Sequence, residues 1–418
     1  KITEVTKTTA TTKKVTVPFE KTRFYIKAYY NVGKKYAYSG YSTGVSCYQQ
    51  QLPEVTGYAV SALGSDYVKL TWNKMTSCDG YIVYKYNNEK QKYERVAKTT
   101  DSNSVYKFTD LFPATEYKLT VRAYKTVDGK EVTSGYHTAF YATTKPSVVS
   151  DFKSSSTTSN SVTLVWKKDT NAQGYIVYRY YSAIQKWVRV TKTDKNIESY
   201  KVTGLNAGTV YKFAVKAYIT VDGKELASPS YPTTTGYTRP ETITGITSSS
   251  SDSSNTLSWK KATGVDGYIL YQKISGNWKR IALTTLNTFT VRNLKAGTNY
   301  SFAIKGYRKV NGREVASPKY VPYNTSTAPA VVDFTLTAGS KKATVKWNKV
   351  TGATGYKVYY KTSSDGKWIG LKTTDNMTTS FTKTGLTSGK TYYFTVKACR
   401  TVNGVTYNGK YIKKSVKI

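Results

Sequence analysis

Residues 205–231 read LNAGTVYKFAVKAYITVDGKELASPSY, and this stretch decides the fold. Tyr211, Phe213, Val215 and Ala217 alternate with Lys212, Lys216 and Tyr218. That is the period of a strand with one buried face and one exposed face. Asp222-Gly223 comes next, a pair that accepts positive φ and suits a tight hairpin. Leu205 and Tyr211 frame the start as a Leu-x5-Tyr motif.

The stretch recurs, and internal repeats take precedence over any local reading. Trp72, Trp166, Trp259 and Trp347 stand 94, 93 and 88 residues apart. Each is followed by a Gly-Tyr pair: Gly80-Tyr81, Gly174-Tyr175, Gly267-Tyr268 and Gly355-Tyr356. Then come Leu111/Tyr117, Leu205/Tyr211, Leu294/Tyr300 and Leu386/Tyr392. The last markers are Asp128-Gly129, Asp222-Gly223, Asn311-Gly312 and Asn403-Gly404. Four markers in one order define four repeats, at 52–145, 146–239, 240–328 and 329–418. Ahead of each Trp, Val68/Leu70, Val162/Leu164 and Ala343/Val345 continue the alternation. Each repeat is expected to hold about seven short strands in about 90 residues, an all-β sandwich. Pro146, Pro240 and Pro329 mark joints with few linker residues, so the sandwiches are expected end to end as a semi-rigid rod.

Composition agrees. Hydrophobic residues are 39% of 418, with 40 Tyr and 12 Phe against 2 Met, which favours several small β cores over one large one. The formal charge is +38, a surface that favours polyanions such as wall polymers, acidic glycans, nucleic acid or anionic membrane. Lys and Arg are spread along the length instead of clustering, which argues against a compact nucleic-acid site. The sequence holds no apolar run of transmembrane length and no CxxC or His/Cys cluster, so no cofactor or metal is expected.

These repeats resemble fibronectin type III domains. The Trp sits in LTWNK, LVWKK, LSWKK and VKWNK, where that family carries its second-strand Trp. The Leu-x5-Tyr segment is similar to its tyrosine corner. An immunoglobulin domain would place a Cys two residues past the corner Tyr; here stand Leu119, Phe213, Phe302 and Phe394. The resemblance implies packing instead of an inter-sheet disulfide, and it says little about ligand. The VKAYxTVDGK style also resembles modules of secreted proteins from gut-dwelling Gram-positive bacteria.

Residues 1–51 read as the second half of such a unit. Phe24–Tyr29, FYIKAY, matches Phe213–Tyr218, FAVKAY, with a hairpin expected at Gly33, while Thr22 stands where the others have the corner Tyr. A half-sandwich leaves an edge and an apolar face uncovered, which makes truncation or self-association through this segment the expectation.

Catalysis finds little support. His137 is the only His, so no Ser-His-Asp or Cys-His array can form within the chain; it is expected at an exposed strand edge. Asp128/Glu131 and Asp222/Glu225 flank hairpin turns, where turn chemistry accounts for them better than a glycosidase pair. Asn311-Gly312-Arg313 is likewise a good turn.

The outward face of the second sheet is the candidate binding surface. Tyr84 is expected to pair with Tyr124, Tyr178 with Tyr218, and Tyr271 with Tyr307, with Tyr359 completing the series in the fourth repeat. Arg122, Lys216, Lys305 and Lys397 alternate with them, and Tyr93, Trp187, Trp278 and Trp368 are placed on the next strand. This is either an internal ladder of rings and cations or a platform for sugar rings or an anionic polymer. The sandwich topology that the resemblance implies brings Cys47 and Cys78 near each other, which makes them a candidate inter-repeat disulfide, while Cys399 takes the place of an outward Tyr and is expected unpaired.

The sequence therefore predicts a non-catalytic extracellular stalk or spacer that contacts a cell-wall polymer, glycan or host surface protein. An accessory region of a larger secreted polysaccharide-degrading enzyme and a self-assembling surface filament are the alternatives.

Overall fold

The structure, a computed structural model, describes residues 8, 22–33, 35–47, 52–100, 103–136 and 139–418. All regular elements among them are strands. The chain divides into two compact units, residues 1–153, 165–199 and 212–234 in one and 154–164, 200–211 and 235–418 in the other.

The third repeat lies wholly in the second unit and displays the plan. Thr247–Ser250, Asn255–Ser258 and Thr288–Val291 form a three-stranded antiparallel sheet. The larger sheet runs Asn277–Thr284, Gly267–Ile274, Asn299–Val310, Arg313–Ala316. Tyr323–Ser326 pairs with the first part of Asn299–Val310, whose other end pairs with Arg313–Ala316. The seventh strand is thus broken in two, so the repeat has eight strand segments where the pattern predicts seven. The interruption, residues 317–322, carries Tyr320.

The alternation does its expected work on the inner face. Leu257, Trp259, Tyr268, Leu270, Phe302 and Ile304 form one buried cluster. The first and fourth repeats have the same construction around Trp72 with Tyr81 and around Trp347 with Tyr356. In all four, the Trp ring meets the following Tyr ring at 5.2–5.4 Å between centroids. That Tyr is also an anchor: its Oη accepts a backbone N–H six residues upstream, from Met75, Asp169, Ala262 and Val350. The bond satisfies a hydroxyl that burial would otherwise penalise.

The corner tyrosines close a second loop. Tyr117, Tyr211, Tyr300 and Tyr392 accept the N–H of Phe112, Asn206, Lys295 and Thr387 at 2.7–3.0 Å. The hairpins take the expected form. Asp128-Gly129, Asp222-Gly223, Asn311-Gly312 and Asn403-Gly404 all have both φ angles positive, which a two-residue turn between twisted strands requires.

In the N-terminal segment, Tyr29–Val32 and Lys35–Tyr38 form the hairpin expected at Gly33. Thr22–Phe24 pairs with Val45–Cys47. Ile26 is 75% exposed and Val45 67%, with Tyr30 also open to solvent. Most of residues 1–21 lies outside the described residues, as does His137, so the self-association and edge-residue expectations rest on residues not described.

Candidate functional site

The outer face of each large sheet is more closed than the sequence implies. Ile82, Ile176 and Ile269 point outward by alternation yet are at most 2% exposed, and Ala214 and Ala303 opposite the neighbouring tyrosines are equally buried. A layer of rings and cations covers them.

The expected cross-strand tyrosine pairs do not form. Tyr124 lies opposite Gly80, not Tyr84; Tyr218 lies opposite Gly174, and Tyr307 opposite Gly267. The reason is steric. Each tyrosine ring lies across its glycine, and a Cβ there would sit 2.7–2.9 Å from the ring Cε1. The Gly of the Gly-Tyr marker therefore makes room both for a ring from one neighbouring strand and for the carbonyl oxygen of Thr99, Thr193 or Thr284 on the other, which would lie still closer to a Cβ. Tyr218 and Tyr307 are consequently buried. Lys98 caps the Tyr124 ring at 3.8 Å and Lys192 caps Tyr218 at 3.7 Å.

Tyr84 and Tyr271 meet a different partner. Tyr136, on the interrupted last strand, is 5.6 Å from Tyr84 and stacks on Tyr93 at 5.3 Å and 16°, with Arg122 at 4.4 Å over its ring. Tyr320 repeats this with Tyr271 (4.9 Å), Trp278 (5.7 Å, 6°) and Lys305 (3.9 Å). Tyr231 packs on Trp187 at 5.7 Å beneath Lys216. Tyr411 meets Trp368 at 5.8 Å, accepts its indole N–H at 3.2 Å, and lies 4.2 Å from Lys397, which also reaches Tyr359. Trp368 stands one residue ahead of strand Ile369–Asp375 instead of on it. Burial pushes the hydroxyls of Tyr84, Tyr178 and Tyr271 above the ordinary phenol value. Burial, and then the charge of Arg239, push the Lys305 ammonium down.

Alternation along the strands does not single out Tyr136, Tyr231, Tyr320 and Tyr411, though they are the most open rings of their clusters at 39–48%. Their signal is present: each follows the hairpin glycine by seven or eight residues. Glu131, Glu225 and Glu314 also do more than frame turns. They form ion pairs with Lys98, Lys192 and Arg280 across the sheet. The hydrogen bonds to Glu314 raise the Arg280 guanidinium above its usual value.

The fourth repeat departs from this scheme at several positions. Cys399 replaces the ring-bearing Tyr and is buried and reduced, its thiol pushed up by burial. Thr406 holds the place of the Glu, and Lys357 that of the Ile. A shallow cleft of about 260 Å³ lies there, lined by Lys357, Tyr359, Gly370 and Lys372 among others. Cys78 is buried, with its Sγ 3.7 Å from Met75 O. The side chain of Cys47 is outside the described residues, so the expected disulfide is not addressed.

Chemically, these clusters offer ring edges and ammonium groups. Part of each ring surface is taken up by a neighbouring ring or by Lys or Arg, most fully at Tyr136 and Tyr320, which stack on Tyr93 and Trp278 and also meet Arg122 and Lys305. Among the described residues, no group of three His, Cys, Asp or Glu is placed to hold a metal.

The family model for the fibronectin type III domain matches residues 53–136, 145–235, 239–320 and 327–411. The chain belongs to the fibronectin type III family. The chain is 30% identical over 292 residues to Exoglucanase B of Cellulomonas fimi, covering 63% of this chain and 25% of that protein. It is 34% identical over 215 residues to Chitinase A1 of Niallia circulans, covering 47% and 29%. The chain thus spans well under a third of the length of these relatives. Among solved structures, a two-domain fibronectin type III segment of chicken tenascin matches 43% of the chain at 19% identity, with a TM-score of 0.28. No helix among the described residues is long and apolar enough to cross a membrane.

Proposed function

We propose that this chain is a non-catalytic spacer of a secreted or surface-attached bacterial protein. The observation that carries this reading is the tandem match itself: four fibronectin repeats follow one another with only three and six residues between the second and third and the third and fourth. Part of even those residues belongs to the last strands Thr233–Tyr237 and Tyr323–Ser326, so little chain is left to act as flexible linker between these repeats. The relatives support the accessory-region version. In Exoglucanase B and Chitinase A1 the matching segment is a minor part of a much longer protein named for a polysaccharide-degrading activity. In this reading the outer aromatic clusters brace each repeat. The +38 charge gives diffuse attraction to anionic wall polymers, which salt screens.

Depletion assays test it. The purified chain, mixed with insoluble cellulose, chitin or peptidoglycan at about 0.5 M salt, where the Debye length is only a few Å, is expected to stay in the supernatant. Retention on one polymer at that salt, abolished by Tyr136→Ala or Tyr320→Ala, would make the clusters a glycan platform and sink the spacer reading.

A further inference from the structure

The loop of the tyrosine corner has a second edge, and in two repeats the glycine on it meets the following repeat. Three residues past the corner Leu stand Ala114, Gly208, Gly297 and Gly389. All four have positive φ, between 49° and 81°. All four donate their N–H to a carbonyl just past the last strand of their own repeat: to Lys145, Arg239, Ala328 and Ile418. Ala114 meets both requirements with a Cβ in place, so positive φ favours glycine here without demanding it.

At Gly208 and Gly297 the demand comes from the next repeat. Gly208 lies against Gly264, and Gly297 against Gly352. Both partners occupy the fifth position after a repeat's marker Trp, and both also have positive φ. A Cβ on any of the four would fall within 3.0 Å of a carbonyl oxygen across the seam, closer than real Cβ atoms come. The pattern is reciprocal. Where the corner loop carries Ala114, the fifth position of the following repeat is Asn171, not glycine. Gly389 has the same backbone with nothing within 4 Å of its Cβ position. A clamp lies beside the Gly297–Gly352 seam. Arg400 donates to Gly352 O at 2.7 Å and to Asn299 Oδ1 at 3.0 and 3.3 Å, joining the two repeats.

We propose that the corner loop is a docking edge that recognises the following fibronectin repeat through glycine-to-glycine backbone contact, and that repeats 3 and 4 tumble as one body through it. The occupant of the edge is a loop of this same kind with glycine five residues past its Trp. Backbone contact at this range defines one register, because a side chain on either loop would force the repeats apart. For Gly297, the added Cβ would sit 2.6 Å from Thr351 O, where ordinary contact begins at 3.4 Å, so the loops must part by about 0.8 Å.

Residual dipolar couplings on the full chain test this. In the parent, couplings from strands Asn299–Val310 and Thr391–Val402 are expected to fit one alignment tensor. Gly297→Ala, which Ala114 shows the loop can accommodate, is expected to split them into two tensors, with repeat 4 differing from repeat 3 in magnitude. Gly389→Ala imposes the same positive-φ strain in open space and is expected to leave one tensor. Should Gly297→Ala fail to fold, Arg400→Gln reads the same joint without altering a backbone torsion, and is expected to split the couplings. A single tensor in a folded Gly297→Ala variant overturns the proposal, as does a split caused by Gly389→Ala. Where only Arg400→Gln can be read, a single tensor in that variant overturns it.

Discussion

The third and fourth repeats share an inner face and differ on the outer one. Phe302 and Phe394 are both wholly buried, beneath Trp259 with Tyr268 and Trp347 with Tyr356. Outside, the third repeat has Tyr307 over Gly267 and the Arg280–Glu314 pair; the fourth has Cys399 over Gly355 and Thr406 where the acid would be. The sandwich tolerates the exchange of that ring and that ion pair while it keeps the Trp368–Tyr411 cluster. The inner face is therefore the constant part of the two repeats, and particular outer positions vary within one chain.

Core truncation should affect the two repeats alike. Phe302→Ala and Phe394→Ala are each expected to cost about 3–5 kcal/mol, because both remove a buried ring and leave a cavity. Amide exchange in strands Asn299–Val310 and Thr391–Val402 of the full chain reads each loss locally. A cost in one repeat less than half that in the other would break the equivalence.

Outer rings should cost less. Tyr320→Ala removes two ring contacts and a cation contact, for about 1–2 kcal/mol in the third repeat. An effect as large as that of Phe302→Ala would show that the outer layer specifies the fold too.

Removing the acid sharpens the contrast further. Glu314→Gln is expected to cost the third repeat about 1 kcal/mol, since the pair is partly exposed, and the cost should shrink with salt. A salt-independent loss would contradict the assignment.

The smallest effect is a pH dependence in the fourth repeat. A hydrogen bond from Lys414 holds the Asp333 carboxyl below its ordinary value. Its folded pKa is depressed, so its contribution is present above the unfolded pKa and fades as pH falls through the folded one. Asp333→Asn is expected to flatten the acid-side slope of exchange protection in strand Lys414–Lys417. An unchanged slope would remove the ion pair from the account.

Much of this is legible in the sequence, for reasons that are local. Phe213, Val215 and Ala217 can be placed inward because a strand alternates with period two, and Asp222-Gly223 can be placed in a turn because few residues accept its φ angles. The corner tyrosines are readable because their partner lies five residues away. The outer face is not, because its contacts depend on register between distant segments. Alternation alone pairs Tyr124 with Tyr84, whereas the Tyr124 ring needs the space that Gly80 leaves. Tyr136 and Tyr320 lie in the break of the last strand, where alternation stops. Glu131 reads as a turn residue because its partner Lys98 is 33 residues away in sequence.

The claim that this array is a spacer is tested most directly by exchange in the parent protein. Residues 53–418 would be replaced by four fibronectin repeats of unrelated surface sequence, or by a Gly/Ser linker of equal residue number. The account predicts that unrelated repeats restore the parent's function and the flexible linker does not. Restoration by the linker, or failure of the unrelated repeats, would contradict it.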